Sequence, residues 1–156
     1  MPDAHDVALF LHLLGVLGLV SGIALAAIAH ARARRALDLG EIVGVLRLAR
    51  SGVLLAAPCA VVVVAAGIWL AELERLGWDT GWLRAAVGLF VLSALLGAFG
   101  GRAPRLAREL AELLYATGGE PTDTLDELLD DRPSRIANIA SAVAMVGVLW
   151  LMVAKP

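Results

Sequence analysis

Four stretches of the sequence are long and apolar enough to cross a lipid bilayer, and no other feature constrains the fold as tightly. A helix needs about 20 mostly apolar residues to traverse the hydrocarbon core. The first stretch, VALFLHLLGVLGLVSGIALAAIA from Val7 to Ala29, is broken only by His12 and Ser21. The second, GVLLAAPCAVVVVAAGIWLA from Gly52 to Ala71, carries no charge. The third, Thr80 to Gly101, carries one, Arg84, and the fourth, Ile136 to Ala154, carries none. A soluble bundle would show polar stripes along such helices, and they are missing. The composition agrees: 60% of the residues are hydrophobic, whereas soluble domains hold about 45–50%. These features predict one all-α membrane domain over residues 1–156. It is an integral membrane four-helix bundle with transmembrane helices at about 7–29, 52–73, 80–101 and 135–154.

The positive charges predict an orientation, because Lys and Arg concentrate in cytoplasmic loops. Arg32, Arg34, Arg35, Arg47 and Arg50 fall in the first loop, and Arg102, Arg105, Arg108, Arg132 and Arg135 in the third. The opposite side holds only Arg75, Arg84 and Lys155. Ten against three places both termini outside, in a cytoplasmic (inner) membrane, with helical loops 31–50 and 102–134 in the cytoplasm. Trp69, Trp78, Trp82 and Trp150 all fall at the outer ends of their spans, where an aromatic belt sits. The N-terminus carries Asp3 and Asp6 but no basic residue before the apolar run. It therefore reads as a retained span rather than a cleavable signal peptide.

The loops read as amphipathic. Asp38 with Glu41 three residues on resembles a capping box. Arg105 with Glu109 and Arg108 with Glu112 stand at helical i,i+4 spacing, favourable for ion pairs. Gly118 and Gly119 close that helix, and residues 120–131 then supply six acids and no base. That segment reads as a solvated face, with a docking surface for a cytoplasmic partner as the other reading. The lone cysteine, Cys59, excludes an intrachain disulfide. No Cys/His cluster has zinc spacing, no nucleophile motif or Gly-rich phosphate loop is present, and the arginines flank spans and are balanced by acids, which argues against nucleic acid. No catalytic or metal-ligating residue is assigned.

His12 is the residue that needs an explanation. At 1.5 Å per residue it lies about 9 Å outward of the middle of its span, within hydrocarbon. An ionisable group at that depth normally faces protein. Gly15, Gly18, Gly22 and Ala26 share its side of the helix, and small residues at this spacing let helices pack closely. By depth, Glu72 and Arg84 are the polar residues that can join His12 in an outer-leaflet cluster walled by Trp69 and Trp150. Arg84 can equally snorkel to the headgroups, and His12 can equally be a core histidine bonded to a neighbouring helix. His30 shares its face but lies about 27 Å away. A bis-histidine haem within the chain lacks a second histidine at matching depth. Met152 is the soft axial candidate nearby.

The string LHLLGVLGLVSG, with its histidine at His12 and a glycine ten residues later at Gly22, resembles a group of small bacterial membrane proteins. These form a four-helix family described as predicted integral membrane proteins of unknown function. More distantly the chain is similar to the copper-resistance D-type membrane domain and to the membrane-embedded, haem-dependent protoporphyrinogen oxidase. The resemblance continues through GVLLAAPCAVVVVAAGIWLAELERLGWDTGWL, Gly52 to Leu83. In the oxidase branch it implies haem ligation by the residue matching His12. That branch also has a tryptophan between the histidine and the glycine and a lysine in the membrane. Here the interval holds Leu, Val, Gly and Ser, and the single lysine is Lys155. The uncharacterised family is the better match.

Two functions follow as expectations. The first is a non-enzymatic bundle serving as scaffold, partner subunit or small carrier, with lipid around it and a homo-oligomer or membrane partner beside it. The second is a haem- or metal-binding redox protein that uses His12 as ligand, with Arg84 and Met152 completing the cofactor site.

Overall fold

The computed structural model describes residues 3–77 and 80–155. Among these every regular element is a helix: α1 (Ala4–Ala33), α2 (Leu39–Leu73), α3 (Gly81–Gly100), α4 (Arg102–Ala116), α5 (Asp123–Leu129) and α6 (Arg132–Ala154). Four helical stretches, Ala4–Ala33, Leu39–Leu73, Gly81–Ala116 and Asp123–Ala154, are long and apolar enough to cross a membrane. The protein is an all-α, multi-pass integral membrane protein. Large apolar side chains such as Phe10, Leu17, Val61, Leu95 and Ile136 lie exposed along these helices, as expected of a surface solvated by lipid. The chain divides into two compact units, Met1–Gly77 and Trp78–Pro156.

The first unit is a hairpin of α1 and α2. Asp3 opens α1 with a capping box, its carboxylate accepting from the Asp6 amide while the Asp6 carboxylate accepts from the Asp3 amide. Two of the orphan amides at the helix start are thereby satisfied. A turn at Arg34–Leu37 reverses the chain, and the Asp38 carboxylate caps α2 by accepting from the Glu41 amide at 3.0 Å. The region from Ala31 to Arg50, expected as a separate helical loop, is divided between the two long helices. Its first residues complete α1, and from Leu39 onward it forms the first turns of α2. Nothing between Arg50 and Gly52 breaks the ladder, and the Ser51 hydroxyl donates back to the Arg47 carbonyl at 3.3 Å. At 35 residues, α2 is about 52 Å long and exceeds the roughly 30 Å hydrocarbon thickness. Pro58 lies inside it and leaves the Leu54 carbonyl without its usual intrahelical donor. The helix closes at Arg75, whose φ of 52° lets the Leu76 amide reach back to the Ala71 carbonyl at 2.9 Å, as in a Schellman cap.

The second unit pairs α3 with α6 and carries α4 and α5 between them. Gly101 separates α3 from α4. The expected ion pairs on α4 are present, Arg105 with Glu109 at 2.9 Å and Arg108 with Glu112 at 3.4 Å. Gly118, at φ 67°, ends α4, and the Gly119 amide donates to the Leu114 carbonyl. A left-handed residue costs glycine nothing, which explains its place there. The acidic segment then does structural work. Thr122 caps α5, Asp130 pairs with Arg135 at 3.1 Å, and the Asp131 carboxylate caps α6 by accepting from the Ser134 amide at 2.8 Å. Leu125 and Leu129 of α5 are buried, as are Ala103, Ala107 and Ala111 along one face of α4. At the far end of the unit, the Lys155 ammonium lies 5.7 Å from the centre of the Trp82 ring, within cation–π range.

Candidate functional site

His12 is buried in the first unit, and its ring points at α2. Nδ1 lies 3.0 Å from the Val63 carbonyl oxygen. A carbonyl can only accept, so Nδ1 carries the hydrogen, and in the neutral ring Nε2 keeps its lone pair. Val63 is in mid-helix, and its oxygen has a second lone pair beyond the one used in the α-helical ladder. The imidazole therefore bonds to backbone without unwinding α2. Gly67, one turn on, makes the space: a β-carbon there would lie 3.3 Å from both Cε1 and Nδ1 of His12. Among the described residues this is the one hydrogen bond of the His12 ring.

Inward of His12 the two helices approach along a seam of small residues. A β-carbon added at Gly15 would sit 3.0 Å from a methyl of Val63, and one at Gly18 would collide with the Cys59 sulfur. At Gly22 it would lie 2.5 Å from the Gly52 carbonyl oxygen and 2.8 Å from the Ala56 amide nitrogen. The relation is reciprocal, since a β-carbon at Gly52 would lie 2.6 Å from the Gly22 oxygen and 2.8 Å from the Ala26 nitrogen. Gly22 and Gly52 thus touch backbone to backbone, and Ala26 borders that contact.

The second unit has a polar seam of its own. The Ser93 hydroxyl donates to the Ser141 carbonyl at 2.9 Å, and the Ser141 hydroxyl donates to the Ser93 carbonyl at 2.8 Å. The hydroxyl oxygens are 3.1 Å apart. Three residues before Ser141, the Asn138 amide donates to the Gly100 carbonyl at 3.0 Å. A side chain at Gly100 would collide with Asn138, so this approach too depends on a glycine. These residues were not singled out from sequence. The available signal was that Ser93, Asn138 and Ser141 are polar interruptions in otherwise apolar spans.

The remaining expected site residues are distributed between the two units. Glu72 lies near the end of α2, about 13 Å along the helix from Val63, and is exposed. Arg84 lies in the first turn of α3 and is exposed, and Met152 lies near the end of α6. The His12 ring is bonded to Val63 rather than to either charged residue. Trp69, Trp82 and Trp150 stand near the ends of α2, α3 and α6, while Trp78 lies outside the described residues. Asp3, His5 and Asp6 bring their ligating atoms within 4.8 Å of one another. The capping box engages both carboxylates, and His5 Nε2 lies 3.4 Å from Glu74, so helix capping and a surface ion pair account for that group.

Residues 6–156 match the model of a family described as "Predicted integral membrane protein (DUF2269)". The chain belongs to that family. No curated protein and no solved structure matches it. The family description and the four candidate spans agree on a membrane protein and attach no specific activity to it.

Proposed function

We propose that this family member is a non-enzymatic helical protein of the bacterial inner membrane, acting as a scaffold, partner subunit or small carrier. The observation that supports this reading is the bond between His12 and the Val63 carbonyl. The one histidine deep in a span is engaged in joining α1 to α2. Ser93, Asn138 and Ser141 are engaged in the same way between α3 and α6. Polar side chains inside a membrane are functional candidates by default, and these four each have a structural partner. The excess of arginines in the first and third loops supports an orientation with both termini outside and those loops in the cytoplasm. Absorption spectroscopy of the protein purified from its host membrane tests the reading. A spectrum without a Soret band, and a His12→Ala variant altered only in stability, are the expected results. A Soret band that disappears in the variant would overturn it.

One observation favours a second reading, a haem- or metal-binding redox protein. A ligating histidine usually donates its other ring N–H to a carbonyl or carboxylate, which fixes the ring for the metal. His12 makes that bond through Nδ1 and leaves Nε2 as the donor atom. The fit extends to a single ligand, His12. The α1–α2 unit has no second histidine at that depth and no methionine among its described residues. His12 would hold the iron, and haem would supply one-electron chemistry.

A further inference from the structure

The α3–α6 unit carries unevenly neutralised arginines at the end where α3 gives way to α4. Arg105, Arg108 and Arg135 each have a carboxylate partner. Arg102 and Arg132 have none among the described residues, and both are exposed. They share one end of the helix pair. A β-carbon at Gly100 would lie 2.8 Å from the Ser134 carbonyl oxygen, so the last turn of α3 touches the first turn of α6. Arg102, the first residue of α4, follows that contact by two residues, and Arg132, the first residue of α6, precedes it by two.

The Arg102 guanidinium lies 5.4 Å from the centre of the Phe99 ring. Phe99 is an exposed aromatic in the last turn of an apolar span, which places its ring among acyl chains. Stacking there holds the Arg102 side chain against the lipid-facing surface with its charged end at the border of the hydrocarbon. The anions of that border are lipid phosphates. A guanidinium presents a planar fork of N–H donors that matches two phosphate oxygens at once. We propose that Arg102 and Arg132, at the α3–α6 end beside Phe99, bind the phosphate of an anionic phospholipid. A free phosphate would use the same donors but gain nothing from Phe99, and the position of that ring selects the lipid.

Lipid titration followed by native mass spectrometry of the delipidated full chain tests this. Phosphatidylglycerol and phosphatidylcholine are the probes. The wild type is expected to prefer phosphatidylglycerol, and Arg102→Gln with Arg132→Gln to lose about fivefold in that preference per arginine. Arg102→Lys should keep part of it, and Arg75→Gln, at the end of α2, all of it. If the double variant does not fold, as judged by helical circular dichroism, the exposed single change Arg102→Gln carries the measurement. Unchanged preference in the folded glutamine variants would overturn the proposal, as would equal loss in Arg75→Gln. Excess inorganic phosphate, compared with chloride at the same ionic strength, should leave the bound lipid in place. Displacement by phosphate would show a general anion site and would also overturn it.

Discussion

At the scale of single residues, the bond from His12 to Val63 answers a problem that the bilayer poses. A charged side chain at the bilayer centre costs about 2.5–3.5 kcal/mol on insertion scales. A neutral imidazole facing lipid would still leave its N–H without a partner. Turning toward α2 resolves both, and Gly67 provides the room. Replacing His12 by Ala should lower stability in detergent by roughly 1–3 kcal/mol, the sum of a hydrogen bond and lost packing. Gly67→Ala should cost less, because the ring needs to give by only a few tenths of an ångström. Denaturant titration of both variants measures this, and a His12→Ala protein as stable as wild type would remove the bond from the account. Asp131 offers a second residue-scale test. Hydrogen bonds from the Ser134 hydroxyl and amide hold its carboxyl below the usual carboxylate range. A lowered folded-state value means that the stabilisation is present at neutral pH. It fades as pH falls through the ordinary carboxylate range toward the folded value. The wild type should melt above Asp131→Ala at neutral pH, with the gap closing in acid. A gap independent of pH would argue against the cap.

At the scale of helices, the two pairs are joined by different chemistry. Along α1 and α2 there is little side chain between the backbones at Gly22 and Gly52, so even one methyl meets a carbonyl oxygen that cannot rotate away. Gly22→Ala should therefore destabilise the hairpin by about 1–3 kcal/mol, the usual cost of overpacking, and Gly22→Leu by more. Leu17→Ala, on an exposed position of the same helix, should change stability far less. Equal melting temperatures for Gly22→Leu and Leu17→Ala would dissolve the seam. The α3–α6 pair is held by the reciprocal bonds of Ser93 and Ser141. Interhelical hydrogen bonds in membranes average about 0.6 kcal/mol and reach about 1.7. A double-mutant cycle with Ser93→Ala and Ser141→Ala should return a coupling in that range, and additive effects would show that the two hydroxyls act independently.

For the whole molecule, sidedness is the property that the arginines set. In a Cys59→Ala background, Leu37→Cys lies in the turn between α1 and α2, at a residue 94% exposed, and Gly77→Cys lies just beyond α2. A membrane-impermeant maleimide applied to intact spheroplasts should label Gly77→Cys and spare Leu37→Cys until the cells are opened. The reverse pattern would invert the proposed topology. The length of α2 makes Leu37 a better reporter position than Arg50, which lies inside a continuous helix.

The sequence alone determined the spans, because crossing a bilayer requires a length of apolar residues that periodicity and charge make visible at once. It also exposed the capping signal at Asp38, the Arg–Glu pairs of α4 and the small residues of α1, all of which depend on neighbours within a few positions. Tertiary structure decided what those residues meet. His12 could be placed in hydrocarbon from its position, but its partner is a backbone carbonyl, which every residue has and no sequence pattern marks. Gly15, Gly18 and Gly22 look equivalent in sequence. Only the approach of α2 sets them against a methyl, a sulfur and a backbone oxygen in turn, and hence ranks what each tolerates. Ser93 and Ser141 stand 48 residues apart, with two further helices between them. Their pairing depends on a register that no local interaction specifies.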